Sequence, residues 1–188
     1  MKHPTMHFSF AAALLAVALT APAWAALPTG GKAPDFTLPA TLGGNTFTFA
    51  LADALKKGPV VLYFYPAAFT KGCTIEAHDF ADAIDQYKAL GATVIGVSHD
   101  DLATLQKFST SECRSKFAVA ADTHQTVMKE YDAVLPQHAQ YANRTSYVIA
   151  PDGTIVYTYT NLDPSLHVQN TLNALKTWKA DHSGGVTQ

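Results

Sequence analysis

The sequence predicts an α/β fold, a central mixed β-sheet with helices on both faces. Three observations lead there. The apolar run Val60, Val61, Leu62, Tyr63, Phe64, Tyr65 is unbroken, as in a strand buried on both sides. From that run onward strand-like and helix-like segments alternate, the order that builds parallel strands joined by crossover helices. A hairpin pattern and one more helix then close the chain.

The elements follow in order. Residues 1–25 have the make-up of a secretory signal peptide: Lys2, an apolar stretch over 8–19, and the A-x-A pattern Ala23-Trp24-Ala25. The apolar stretch is shorter than the roughly 20 residues that span a bilayer. Cleavage is expected after Ala25, leaving one domain over residues 26–182 and a disordered tail over 183–188. Thirteen Lys and Arg against fifteen Asp and Glu give a net charge of −2, which favours neither nucleic acid nor an anionic membrane.

Residues 35–38 suggest a short edge strand bounded by Pro34 and Pro39. Gly43-Gly44-Asn45 reads as a turn into a strand over 46–49, and 53–57 as a brief helix stopped by Gly58. After the central strand, Ala77, Phe80, Ile84 and Tyr87 recur at helical spacing, and Gly91 is a helix stop. A second buried strand covers 93–97 and ends at Ser98-His99-Asp100. Leu102, Leu105 and Phe108 mark a helix over 101–110, with Asp100 as its candidate cap. A strand over 117–120 follows, then a helix with Val127 and Met128 capped by Asp122 or Thr123. Residues 135–143 have no period and read as loop. Strands over 146–150 and 154–159 flank the turn Pro151-Asp152-Gly153, and Pro164 opens a last helix with Leu166, Leu172, Leu175 and Trp178 inward.

Chemistry concentrates after the central strand. Four residues back from Ala77 on the same helical stripe is Cys73, in the first turn of its helix and just past the strand's carboxyl end. Free amides and the partial positive charge of a helix N-terminus favour thiolate over thiol. Sheets of this kind gather their chemistry at the carboxyl ends of the strands. Thr70 offers a hydroxyl three residues upstream, Gly72 permits close backbone approach to a small ligand, and Pro66 adds shape without a donor. Of the two arginines, Arg114 and Arg144, the second precedes a strand from which its guanidinium can reach the thiolate. The second cysteine, Cys113, could instead form a structural disulfide with Cys73. In an oxidising compartment that staple would contribute about 3–4 kcal/mol.

The run Pro66-Ala67-Ala68-Phe69-Thr70-Lys71-Gly72-Cys73 fits P-x-x-x-T-x-x-C and resembles the peroxiredoxin signature. Arg144-Thr145-Ser146-Tyr147-Val148-Ile149, with Asp152-Gly153 beyond it, resembles the stretch that carries that family's active-site arginine. Gly72-Cys73-Thr74-Ile75-Glu76-Ala77 and Gly96-Val97-Ser98 are similar to the bacterioferritin comigratory protein (peroxiredoxin Q) branch. The resemblance implies a thioredoxin-like fold and a thiol peroxidase acting on hydrogen peroxide and organic hydroperoxides. It makes Cys73 the peroxidatic residue, Thr70 and Arg144 the groups that hold the peroxide oxygens, and Pro66 a shield against water. Glu76 either steadies Arg144 or is an ordinary first-turn acid. No cofactor or metal is expected, and the implied partner is a thioredoxin-like reductant, periplasmic for an exported monomer.

One departure bears on the second half of the cycle. Many members of the branch carry a resolving cysteine five residues after the first, where this chain has His78. Five helical steps turn His78 about 140° from Cys73, which makes it a solvent-edge residue out of reach of the sulfur. Other members place the resolving cysteine in the following helix, and Cys113 fits that description. A disulfide between Cys73 and Cys113, formed by local unwinding, is therefore expected, with a one-cysteine cycle as the alternative. Two further readings compete. A C-x-x-C disulfide reductase would need cysteine at position 76, and a thioredoxin-fold copper module would need C-x-x-x-C plus a distant His. His99, His124, His138 and His167 have no ligand spacing and read as surface or loop residues.

Overall fold

The computed structural model describes residues 26–183, with side chains through 182. The expectations for 1–25 and 184–188 lie outside the described residues. Seven strands form one sheet in the order β2-β1-β5-β4-β3-β6-β7. The central strand β3 (Val60–Phe64) runs parallel to β4 (Thr93–Ser98), and β4 parallel to β5 (Ala118–Ala121). On the other side β6 (Thr145–Ile149) is antiparallel to β3, and β7 (Ile155–Thr160) antiparallel to β6. The hairpin of β1 (Thr37–Leu42) and β2 (Asn45–Ala50) closes the far edge through an antiparallel contact with β5.

The alternation along β3 explains why its apolar run is unbroken. Val60, Leu62 and Phe64 enter one core, with α1 (Leu51–Leu55) and α4 (Thr126–Glu130). Val61, Tyr63 and then Tyr65 enter the other, with α2 (Lys71–Ala89), α3 (Leu102–Ser111) and α5 (His167–Ser183). Each pleat side needs its own apolar set because both faces are covered. Cys73 and Cys113 belong to the second core. Gly96 in β4 makes room on that side, since a Cβ there would come within 2.7 Å of Tyr63, whose ring stacks on Phe80 at 4.3 Å.

Several local expectations change. Pro39 does not end a strand but lies inside β1. The two-residue turn at Gly43 and Gly44 makes Leu42 and Asn45 a hydrogen-bonded pair, so Pro39, three places back, turns its nitrogen away from β2. Its nitrogen faces β5 instead, just before the pairs Ala40–Ala120 and Thr41–Val119, so the missing N–H falls at the end of that ladder. The strand is also internal to the sheet, because β2 takes the edge.

The cap of α3 is Asp101, which accepts from Thr104 N at 2.7 Å, and Asp100 serves the site instead. Asp122 does hold the start of α4, accepting from Thr126 N and Met128 N at 2.9 Å each, although Gln125 is the position before the helix. Leu166 falls in a short 3-10 turn, Pro164–Leu166, and is exposed, whereas Leu172 and Leu175 are buried as expected. Ser183 ends α5 and so does not belong to a tail.

Candidate active site

β3 and β4 end side by side, and the loop between β3 and α2 is held by the end of β4. Asp100 accepts from Ala68 N at 2.8 Å and from Ser98 Oγ at 2.7 Å. His99 Nδ1 donates to the Pro66 carbonyl at 3.2 Å, and its ring meets Tyr141 edge-on at 4.8 Å. His99 is thus a loop anchor, half-buried, and not a scattered surface residue. Phe69 adopts a positive φ of 62° and rests edge-on against Phe108. These contacts fix where α2 begins. Its first ladder bond runs from Thr74 N to Thr70 O at 2.9 Å, leaving the amides of Lys71, Gly72 and Cys73 ahead of the ladder.

Cys73 is buried in that first turn, 1% exposed, with Arg144 Nη2 3.5 Å from its Sγ. Arg144 stands just before β6, the antiparallel neighbour of β3, which carries the guanidinium across to the start of α2. All its nitrogens are engaged: Nε donates to the Leu162 carbonyl at 2.9 Å and Nη1 donates to Glu76 Oε2. Glu76 is wholly buried and pairs with Arg144, which decides between its two readings. Burial pushes its carboxyl up to about 8, against the pull of the arginine charge. A fixed guanidinium with one nitrogen on a sulfur and another on a carboxyl is an oriented cation, which a lysine could not reproduce.

Gly72 has a role that sequence reasoning assigned to a ligand. A Cβ at this position would stand 2.9 Å from Arg144 Nη2, so the close approach is that of the arginine itself. Gly72→Ala is expected to fold normally, because alanine favours helix, yet to push the guanidinium off the sulfur. A misplacement of about 1 Å can cost about 10²-fold in rate. The rate at which Cys73 reacts, followed by stopped flow beside a melting curve, checks this.

Thr70 caps α2 by position but makes no side-chain cap bond; its hydroxyl donates to the Ala67 carbonyl at 3.0 Å and not to the sulfur. Pro66 is half-buried at the strand end. Cys113 is fully buried just after α3, and both cysteines are free thiols. Burial, with Glu112 adding to it, pushes the Cys113 thiol well above its ordinary range. The two residues after it, Arg114 and Ser115, hold φ values of 49° and 55°, a conformation that favours glycine.

His78 does stay clear of Cys73, but it is only half-exposed and pairs with Glu112 at 2.9 Å. Arg114 pairs with Asp82 one turn further along α2. His167, expected at the surface or in a loop, is instead fully buried at the head of α5 with Nδ1 3.6 Å from Glu76 Oε1, a placement set by packing across the fold. His124 and His138 are exposed. Among the described residues no group of three or more His, Cys, Asp or Glu could hold a metal ion.

A seven-stranded thioredoxin-like sheet with a buried thiol and a guanidinium at its strand ends fits thiol-dependent peroxidases, and the comparisons with known proteins give that class. Residues 29–158 match the AhpC/TSA family, and the chain belongs to it. It is 34% identical over 180 residues to the chloroplastic peroxiredoxin Q of Oryza sativa subsp. japonica, covering 88% of this chain and 81% of that one. The corresponding protein of Arabidopsis thaliana is 33% identical over 171 residues, covering 90% and 77%. Peroxidoxin BcpB from Mycobacterium tuberculosis superposes with a TM-score of 0.72 at 30% identity, over 79% of this chain and 96% of that one. AhpC of Enterococcus faecalis shares the fold, with a TM-score of 0.72 at 22% identity over 85% and 98%. The protein is a peroxiredoxin of the peroxiredoxin Q type, an oxidoreductase that reduces peroxide with electrons from a thioredoxin-type donor.

Proposed function

We propose that Cys73 is the peroxidatic residue, and that Arg144 and Thr70 hold the peroxide in line with its sulfur. The placement of Arg144 Nη2 3.5 Å from Sγ at a helix N-terminus carries this reading. The thiolate attacks the terminal peroxide oxygen. The S–O bond forms as the O–O bond breaks, sulfur is oxidised to sulfenic acid, and the leaving oxygen departs with the electron pair and takes a proton from solvent to become water or an alcohol. Negative charge moves toward the leaving oxygen, where the guanidinium and the free amides of α2 meet it without reorganising. Thr70 spends its hydrogen on Ala67, so its lone pairs are left to accept the peroxide hydrogen. Pro66 walls the sulfur from bulk water.

Cys113 is the proposed resolving residue. Its thiol condenses with the Cys73 sulfenic acid, releasing water and leaving a disulfide. The strained backbone at Arg114 and Ser115, together with two pairings to α2 that must open, supports a segment that rearranges after oxidation. The reductant is a thioredoxin-like protein of the periplasm, reached by export through residues 1–25, and the working unit is a monomer. Substrates include organic hydroperoxides as well as hydrogen peroxide. Replacing Cys73 by Ser and assaying peroxide loss with a thioredoxin system tests the assignment. Loss of turnover is expected, and undiminished turnover rejects it.

A further inference from the structure

Glu76 is buried with one oxygen on Arg144, while its other oxygen, Oε1, has no hydrogen-bond partner among the described residues. That oxygen faces Nδ1 of His167 at 3.6 Å. The imidazole is itself fixed at both nitrogens. Nε2 lies 2.8 Å from the Asn161 carbonyl, which can only accept, so Nε2 carries a hydrogen. Nδ1 lies 2.8 Å from Ser146 Oγ, and the Tyr159 ring packs against the imidazole at 4.8 Å. In a neutral ring Nδ1 is therefore a lone pair. An ionised Glu76 would aim an unsatisfied oxygen at it, a buried charged group left without its bond. A proton on Oε1, turned toward the Nδ1 lone pair 3.6 Å away, removes the conflict.

We propose that Glu76 and His167 hold a single proton between them, and that this proton leaves the charge of Arg144 undivided for the Cys73 thiolate and the departing oxygen. His167 is then a positioning residue that acts through Glu76 and Arg144 without touching substrate. The inference rests on Cys73 as the peroxidatic residue. Burial pushes Glu76 up to about 8 and His167 down to about 4, so the pair keeps one proton across neutral pH. The groups facing it are Asp79 and Tyr87 from α2, Tyr63 from β3, Arg144 at β6, Tyr159 from β7 and Asp163 ahead of α5, with Cys73 beyond Arg144. Asp79 opposes ionisation of Glu76 and Arg144 favours it, with burial the larger influence. As pH rises through about 8 the proton leaves, and the carboxylate competes with the thiolate for the guanidinium.

The test is the pH dependence of the single-turnover peroxide rate in wild type, Glu76→Gln and His167→Asn, with melting curves to confirm folding. Wild type should lose rate on the alkaline side near pH 8. Glu76→Gln, an amide in place of the protonated acid, should lose that alkaline fall. His167→Asn offers Oε1 an amide donor, and the fall should move down by about one pH unit. An alkaline fall that stays in place in both variants overturns the proposal. Should a variant not fold, the infrared carbonyl stretch of a neutral buried carboxylic acid, read on wild type at neutral pH against its alkaline spectrum, decides instead. Its absence overturns the proposal. Turnover surviving Cys73→Ser would reject the peroxidatic reading, whereas an inactive Cys73→Ser together with an alkaline fall unmoved in Glu76→Gln and His167→Asn would reject the shared proton alone.

Discussion

Arg144→Met is expected to slow the reaction with peroxide by about 10²–10³-fold, the loss that follows removal of one fixed donor from a developing oxyanion. The methionine fills the volume but removes the group 3.5 Å from Sγ and the anchor on Leu162 O. Stranding a buried charge commonly costs about 3–5 kcal/mol. Here Glu76 already ionises only near 8, so it can stay neutral at working pH and the fold should lose less. Stopped-flow peroxide consumption and thermal unfolding separate the two effects. Arg144→Lys keeps a charge without the two-point grip and should recover only part of the rate. Near wild-type kinetics in Arg144→Met would remove the guanidinium from the mechanism.

The second large effect is on recycling. Cys113→Ala is expected to leave the first peroxide turnover intact and to lower steady-state turnover with a thioredoxin-type donor about tenfold or more, at least about 1.4 kcal/mol of barrier. Alanine is chosen over serine because a hydroxyl at this fully buried position would want a partner. In the folded enzyme burial holds the Cys113 thiol neutral, since its titration lies well above the ordinary range. Attack therefore waits for the segment to open. Once exposed, the thiol ionises near its ordinary value of about 8.5, so disulfide formation should speed up as pH rises toward that value. Mass analysis of the quenched enzyme checks both points. Unchanged turnover in Cys113→Ala would establish a one-cysteine cycle.

How far these features were legible in the sequence varies with the range of the interaction. The run from Val60 and the stripe Ala77, Phe80, Ile84, Tyr87 are local patterns, and they placed β3, α2 and Cys73 correctly. Pro39 misled because whether a proline breaks a strand depends on which way its nitrogen faces, and register decides that. Asp100 was taken for a cap since short-range spacing cannot distinguish it from Asp101, whereas its actual partner, Ala68, lies in another loop. Arg144 was visible mainly through resemblance to a family stretch. Gly72 and His167 escaped because their meaning lies in contacts across the fold, with Arg144 in one case and Glu76 in the other. Glu76 itself is an ordinary acid near the start of a helix in sequence, and only its complete burial against Arg144 gives it a role.

The central claim is that peroxide oxidises Cys73. The most direct measurement treats the reduced protein with one equivalent of hydrogen peroxide in the presence of a sulfenic-acid trap, then maps the modified peptides by mass. The trap should be found on Cys73, with untrapped protein carrying the bond from Cys73 to Cys113. Oxidation confined to Cys113, or a Cys73 peptide that remains a free thiol while peroxide is consumed, would contradict the account.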